Sequence, residues 1–508
     1  MKLTHHLAQG LLWQALAKVA VASTIIFRGG TIIGWNDAAE SLAVIRNGTM
    51  VVKGDRITAI YGFGEEPSDL VTSAANRTGL EIVDTTYKII TPGFIDTHRH
   101  GWQTAFRTLG SNTTLWEYFS RYSMFAAEGL FTPEDTYISQ LTGLFEALNA
   151  GVTTTLDHAH HTWSDDTSEA GLRASVDSGA RVFWAFAFNS FRNYTIKQQV
   201  AKFRNLVDSS FINNSPTTIG IAYDEFGTGK PQDVENYNIS VFTTHYIAGP
   251  WGVANGPEDV HKVGLLNTSI PVVFSHGSFI SQREYELLRS TNQYVSITPE
   301  SEMHYGHLHP TSHLILDQAS LGVDTHFTFS TDILTQARMW LQRMRAIFYH
   351  VPLDLWRIPT TNPMSVNQAF LLATRAGALS LRRRDLGIIA PGAKADLVVW
   401  NGDSPALLGW VDPVAAVILH ASVADIDHVV VNGRFVKRNG VLTASDYEGV
   451  RARFLQSARR IQGALIDTPY PRAEQGERWS SGALLEQPPK VDVEREDGTG
   501  YGPVWQSL

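Results

Sequence analysis

Two histidines separated by a single residue end an apolar stretch near residue 100. Residues 88–95 are largely apolar around a Pro-Gly turn, which is typical of a buried strand, and His98 and His100 follow at once. Side chains two apart on a strand point to the same side, so these imidazoles can hold one ion. Zinc binds imidazole nitrogen at about 2.0–2.1 Å. Two histidines without a metal-binding role would give the same pattern near a strand end. The residues at later strand ends are therefore needed to distinguish the two interpretations.

Three later apolar runs lead to residues of the same chemical kind, His245, His276 and Asp332. The last of these runs, residues 325–330, is predicted to be the final strand of the series. Three histidines and a carboxylate around one divalent ion suit a catalytic site with an open position for water. The ion lowers the pKa of that water to about 7 and polarises the bond to be attacked. A carboxylate at the rim then takes the water's proton. Asp332 can serve as both ligand and base, while His276 would orient or protonate the tetrahedral intermediate.

Each of these residues also has a purely structural explanation. His245 and His276 would be hydrogen-bonded histidines at strand ends, and Asp332 would cap a helix that starts near Leu334. Candidates for the substrate pocket, with Glu302 also a catalytic candidate, are Trp102, Gln103, Trp116, Glu302 and His304. Aromatic residues occur more often in the core, and the segment 299–309 would otherwise be a solvated loop. Weaker candidates follow the second strand: His158, His160 and His161.

The composition limits the kinds of site that the chain can build. It has 508 residues, of which 43% are hydrophobic and 18% charged, and no cysteine. Disulfides, zinc–thiolate sites and thiol nucleophiles are therefore excluded. A net charge of -9 without a basic run argues against nucleic acid, so we expect a small-molecule substrate.

The apolar stretch from Leu11 to Phe27 has two interpretations, a signal peptide or a helix packed on the body. Seven Asn-x-Ser/Thr sequons favour secretion slightly, but we favour a cytoplasmic protein. No other stretch approaches the roughly 18 uninterrupted apolar residues of a membrane-spanning helix, so we expect no membrane association.

The candidates are surrounded by alternating strands and helices. From residue 92 to about 385, this alternation makes about eight units, which predicts an α/β fold with a (β/α)8 TIM barrel and catalytic groups at the C-terminal strand ends. An open doubly wound sheet is the alternative, but its Gly-rich phosphate turn is absent. Hairpin patterns in 24–91 and 386–443 predict one β domain built from both chain ends. Residues 1–23 remain as an N-terminal segment, and residues 444–508 as a helix (447–465) with a surface tail.

Several motifs taken together resemble the metal-dependent amidohydrolase superfamily, in its branch of cytosine and adenosylhomocysteine deaminases and triazine chlorohydrolases. The resemblance covers about residues 24–445. It rests on the stretches 92–100, 151–155, 275–277 with Glu284, 298–303, 330–332 and 391–397.

The resemblance implies a distorted (β/α)8 barrel with a composite β-sandwich. It also implies one zinc or iron ion, zinc preferred, bound by His98, His100, His245 and Asp332, with His276 beside the bound water. Binuclear relatives carry a carboxylated lysine at the end of the fourth strand. The corresponding residues 222–225 include no lysine, so a mononuclear site is expected.

One departure from the family concerns proton transfer. Deaminases of this branch carry a glutamate three residues after the fifth-strand histidine, where this chain has Ala248. Glu302, where relatives often have asparagine, would have to replace it. The first hypothesis is therefore a hydrolase acting on a non-peptide carbon–nitrogen bond of a small, cyclic molecule. A metal-dependent lyase (decarboxylase or dehydratase) is the second, and a non-catalytic small-molecule binding protein the third. We also expect a homo-oligomer.

Overall fold

The computed structural model describes residues 24–67, 79–229 and 238–489, and the backbone of two short strands further on. The predicted N-terminal segment, residues 1–23, lies outside the described residues. In chain order the strands are β1 (Thr24–Asn36), β2 (Ser41–Lys53), β3 (Arg56–Tyr61), β4 (Leu80–Asp84), β5 (Ile89–Pro92), β6 (Phe94–Arg99), β7 (Val152–Ala159), β8 (Arg181–Phe188), β9 (Thr218–Tyr223), β10 (Phe242–Tyr246), β11 (Val272–His276), β12 (Tyr294–Ile297), β13 (Ala319–Leu321), β14 (Leu397–Trp400), β15 (Ile426–Val431), β16 (Arg434–Arg438), β17 (Val441–Leu442), β18 (Glu494–Arg495) and β19 (Gly498–Thr499).

Strands β6 to β13 form one eight-stranded sheet in which each strand pairs in parallel with the next. The sheet nearly closes into a barrel, because the N–H groups of Val323 and Asp324, just past β13, donate to the carbonyl of His98 at 3.0 and 2.8 Å. Gly322 permits this approach, since a Cβ at that position would lie 2.9 Å from the backbone nitrogen of His98. The closure brings the end of the last strand beside the end of the first.

Helices follow most barrel strands and cover the outside of the barrel. They are α1 (Leu115–Arg121), α2 (Pro133–Asn149), α3 (Asp165–Asp177), α4 (Ile196–Val207), α5 (Pro257–Lys262), α6 (Gln282–Thr291), α7 (Pro299–His304), α8 (Ile333–Asp354), α9 (Val366–Ala373), α10 (Arg375–Ser380), α11 (Pro413–Ala415) and α12 (Tyr447–Ile466). No helix in the described part of the chain combines the length and apolarity needed to span a bilayer.

Both ends of the chain contribute to a second, mixed sheet of nine strands, in the order β17-β16-β15-β14-β5-β1-β2-β3 with β4 paired to β1. Its two halves meet where β5 pairs antiparallel with β14, Pro92 opposite Leu397. Its apolar core, which includes Phe27, Met50 and Val399, is separate from the core around the barrel. The predicted fold class, a distorted barrel with a β domain from both chain ends, is confirmed. The domain boundaries that we placed at residues 92 and 386 stay predictions.

The last barrel strand differs from the sequence prediction. Residues 325–330, predicted as that strand, run through turns and bends. The strand itself is the three-residue segment β13, which starts six residues and ends nine residues before the predicted strand. A segment of three residues shows no alternation of apolar and polar residues, whereas the longer run at 325–330 does and therefore resembles a strand.

Candidate metal centre

Histidines and one carboxylate converge at the C-terminal end of the barrel. The ligand-capable atoms of His98, His245, His276 and Asp324 all lie within 4.8 Å of one another. His100 joins them, since its Nε2 lies 3.0 Å from Asp324 Oδ1 and 3.3 Å from His245 Nε2. His98 and His100 are buried, while the side chain of His245 is 17% exposed. The structure thus brings together all four predicted histidines at one mouth of the barrel.

The carboxylate in this cluster is Asp324. The sequence predicted Asp332 at this place, and that prediction is wrong. Asp332 instead caps α8: its carboxylate accepts from the N–H of Thr335 at 2.5 Å and from the hydroxyl of Ser330 at 2.7 Å. The prediction of Asp332 was wrong because residues 325–330 are not the last barrel strand, so Asp332 does not follow a strand end. The sequence did not predict Asp324. The feature that indicates it is Gly322, a residue without a side chain two positions earlier, which lets this segment pack against the backbone of His98.

The hydrogen-bond partners of the histidines fix which ring nitrogens face the centre. His100 Nδ1 lies 2.9 Å from the carbonyl oxygen of His158, and His245 Nδ1 lies 2.9 Å from Asp224 Oδ2. Both acceptors require an N–H at Nδ1, which leaves each Nε2 with a lone pair in the neutral ring. These two lone pairs and the Asp324 carboxylate point at one another. Without a metal cation or additional protons between them, they would repel.

Two observations fit a metal ion better than extra protons. His98 Nε2 is buried, lies 3.3 Å from Asp324 Oδ1 and has no hydrogen-bond partner among the described residues, while its Nδ1 contacts the hydroxyl of Ser275 at 2.7 Å. Ligands at about 2.0–2.1 Å from a tetrahedral ion lie about 3.3 Å apart, which matches the His98–Asp324 and His100–His245 separations. Three imidazoles with one carboxylate suit zinc or iron.

Burial and charge set the protonation of these groups. Burial lowers the pKa of His98 well below its usual value, so this ring is neutral and able to bind a cation. Burial would raise the pKa of Asp324, but its contacts with His100 and His98 hold that pKa well below its usual range. Burial would lower the pKa of His245, yet the neighbouring Asp224 carboxylate raises it. Asp224 also orients the His245 ring, as a carboxylate behind a metal-binding histidine commonly does.

His276 is supported by a buried polar network. Its Nδ1 contacts the hydroxyl of Thr298 at 2.9 Å and Glu302 Oε1 at 3.4 Å, so Nε2 is the nitrogen left for the centre. Its φ of 77° is rare for a non-glycine residue and places strain at the centre. Glu302 lies behind His276, with Oε2 2.6 Å from His309 Nε2. Burial would raise the pKa of Glu302, but the charges and hydrogen bonds of His309 and His276 lower it to about 2.

The other predicted pocket residues make contacts away from the cluster in the described part of the chain. The buried Trp102 packs against the ring of Trp163 at 5.0 Å, and Gln103 Nε2 donates to the hydroxyl of Tyr118 at 2.9 Å. His304 Nε2 lies 3.0 Å from the carbonyl oxygen of Gly110. Trp116 is half-buried on α1. Substrate binding by Trp102, Gln103, Trp116, Glu302 and His304 stays a prediction.

A barrel of eight parallel strands, with histidines and a carboxylate at the ends of its first, fifth, sixth and eighth strands, defines a metal-dependent α/β-barrel enzyme. The profile of the amidohydrolase family matches residues 89–225 and 248–436, and the chain therefore belongs to this family. The predicted resemblance is confirmed, and with it the prediction of a metal-dependent hydrolase.

Relatives and solved structures agree with this family. The chain is 24% identical over 457 residues to 5-methylthioadenosine/S-adenosylhomocysteine deaminase of Pyrococcus horikoshii, covering 85% of this chain and 99% of the relative. It is 23% identical over 469 residues to 5'-deoxyadenosine deaminase of Methanobrevibacter smithii, covering 87% and 99%. Its fold is similar to a variant of atrazine chlorohydrolase from Arthrobacter aurescens complexed with zinc and atraton, with TM-score 0.72, 20% identity and coverage of 85% and 100%. An adenosine deaminase from Xanthomonas campestris with bound zinc gives TM-score 0.72 at 15% identity, covering 87% and 99%.

Proposed function

We propose that the chain hydrolyses a carbon–nitrogen bond that joins an amino group to a small nitrogen-containing ring. The observation that carries the proposal is the convergence of unprotonated imidazole nitrogens and the Asp324 carboxylate on one point. Relatives named as deaminases of adenosine derivatives favour this bond and this kind of ring. The ligands would be His98, His100, His245 and Asp324, which replaces the predicted Asp332.

A divalent ion held by these residues would supply a Lewis acid and lower the pKa of a water to about 7. Asp324, ionised at neutral pH because of its histidine contacts, would accept the proton of the attacking water as general base. His276 would hold that water through Nε2, because Thr298 engages its Nδ1. The exposed edges of His245 and Asp224, 17% and 20% accessible, would be the side from which substrate enters.

The proton that the departing amine needs requires a donor other than the usual glutamate. Ala248 stands three residues after His245, and Glu302 is fully buried behind His276. For Glu302 we therefore propose the positioning of His276 in place of the predicted contact with substrate. The proton that Asp324 takes from the water would pass to Nε2 of His276, since the ligand atoms of these two residues lie within 4.8 Å of each other. His276 would then return that proton to the leaving amine.

The lack of a glutamate three residues after His245 also favours a second candidate function, a metal-dependent lyase. A decarboxylase or dehydratase on this scaffold would not need ring protonation by a glutamate. Turnover in 18O-water separates the two, because hydrolysis must place solvent oxygen in the product and a lyase reaction does not require it.

The test of the main proposal is metal-dependent release of ammonia. Purified protein is offered aminated purines, purine nucleosides, pyrimidines and triazines, before and after removal of bound metal with a chelator. We expect ammonia from one class of ring, loss of that activity after chelation, and recovery with zinc or iron. Full activity in protein shown by elemental analysis to contain no metal would overturn the proposal.

A homo-oligomer is also proposed, with its interface at the end of α8. Six large apolar side chains lie exposed within eleven residues there: Phe348 (42%), Val351 (62%), Leu353 (51%), Leu355 (60%), Trp356 (97%) and Ile358 (87%). With about 150–250 Å² for a whole large side chain, they expose on the order of 700 Å². That is close to the roughly 800 Å² that each partner buries in a stable interface. A second copy of this chain is the occupant that such an area fits.

A further inference from the structure

A second cluster of metal-ligating side chains adjoins the first. His158, His160, Asp224 and His245 each offer a ligand atom, and these atoms all lie within 4.8 Å of one another. His158 lies on β7 and His160 just past it, and Asp224 directly follows β9. The N–H of His160 donates to the carbonyl of His158 at 3.0 Å, and this tight turn directs both rings toward Asp224.

Both histidines of this turn carry buried nitrogens without a partner. His158 and His160 are 0% and 3% exposed, and neither Nδ1 nor Nε2 of either ring has a hydrogen-bond partner among the described residues. A buried polar group left unpaired costs about 1–3 kcal/mol. Two adjacent imidazoles in this condition, grouped with the carboxylate of Asp224, form a donor set that a bound cation would stabilise.

Asp224 supplies the charge that a cation at this place would need. Its Oδ1 already accepts from the backbone N–H of His245 at 2.7 Å and lies 3.1 Å from the hydroxyl of Thr244. Its Oδ2 lies 2.9 Å from His245 Nδ1 and 3.3 Å from His158 Nε2. The second separation is the spacing of two ligands on a tetrahedral ion, about 3.3 Å.

We propose that His158, His160 and Asp224 bind a second divalent cation, on the Nδ1 side of the His245 ring and next to the first centre. Two imidazoles with one carboxylate select a borderline ion such as zinc, cobalt or nickel. Calcium and magnesium are disfavoured because they take oxygen ligands. This adds one ion to the single ion that the sequence predicts, and it does not depend on the hydrolytic function.

The test counts metal ions per chain in the full-length protein. Protein stripped with a chelator is reloaded with excess zinc, separated from free metal by gel filtration, and analysed for zinc and protein. We expect two zinc ions per chain in the wild type and one in His160→Gln. One ion per chain in the wild type would overturn the proposal, whatever the variants do.

A matched control separates this cluster from adventitious binding to histidines. His161 lies in the same turn, is also buried and also has no partner at either ring nitrogen among the described residues, but its ring faces Trp184 at 5.9 Å. His161→Gln should keep two ions. If His160→Gln does not fold, as judged by circular dichroism, His158→Gln takes its place. Two ions retained in a folded His158→Gln or His160→Gln protein would refute the assignment.

Discussion

The two aspartates Asp324 and Asp332 have different roles, and substituting each one separates them. Asp324→Asn removes a charged ligand and the general base together. Loss of a general base costs about 10²- to 10⁴-fold in rate, which is about 3–5 kcal/mol of transition-state stabilisation at 1.36 kcal/mol per tenfold. Loss of one of the four proposed ligands should also lower the metal content after gel filtration.

Asp332→Ala removes the cap of the 22-residue helix α8 instead. An N-cap change of this kind costs about 0.5–2 kcal/mol of stability, so the thermal midpoint should fall by a few degrees at most. Metal content and turnover number should stay near the wild-type values. Asp332→Asn serves as the control, since asparagine caps a helix about as well as aspartate and should restore the midpoint.

The readouts are zinc per chain, thermal unfolding by circular dichroism, and ammonia release from whichever ring the wild type deaminates. Low metal in Asp332→Ala, together with full metal and full activity in Asp324→Asn, would refute the assignment of Asp324. It would also show that the eighth strand ends just before Asp332.

Three further predictions concern stability and assembly. Burial raises the pKa of Glu300 from 4.5 to about 7, so its folded form binds a proton more tightly and stability should fall as pH rises from about 4.5 to 7. Glu300→Gln should remove this pH dependence, which amounts to on the order of 2 kcal/mol of unfolding free energy between pH 4.5 and 7 after solvent screening. Urea unfolding at several pH values measures it. Glu302→Gln leaves His309 without its buried carboxylate partner at 2.6 Å. We expect a loss of about 1.5–3 kcal/mol in the free energy of unfolding, as for a hydrogen bond to an ionised group, and an unchanged free energy would contradict an ionised Glu302. Trp356→Asp should convert the oligomer to a monomer in light scattering, whereas Ile466→Asp, equally apolar and 67% exposed on another helix, should leave the mass unchanged.

The sequence predicts those parts of the fold that repeat over many residues. The barrel strands from β6 to β12 are rich in β-branched and aromatic residues, and helices follow most of them, so their order and their functional ends follow from the sequence. Strand β13 has three residues, too few to show a period. The apolar run at 325–330 resembled a strand because Phe327 and Phe329 alternate with polar residues.

The directions in which the side chains of Glu302 and Trp102 point could not be predicted from the sequence either. Glu302 lies four residues past Thr298 on a buried turn of helix, and whether it faces the substrate or His276 depends on where β11 and β12 lie relative to each other. Trp102 follows His100 by two residues, yet a 3-10 helix over Gly101–Phe106 turns it toward Trp163. Neither direction follows from local sequence, because each is set by packing between segments far apart in the chain.

The pairing of β5 with β14 has a consequence for how the protein is made. Roughly 300 residues separate Pro92 from its partner Leu397, and a ribosome adds about 5–20 residues per second. The first half of the mixed sheet therefore waits on the order of 15–60 s with one edge unpaired. An open edge of this kind can recruit strands from other nascent chains. Chains cut short before residue 397 should for this reason aggregate rather than remain as free barrels.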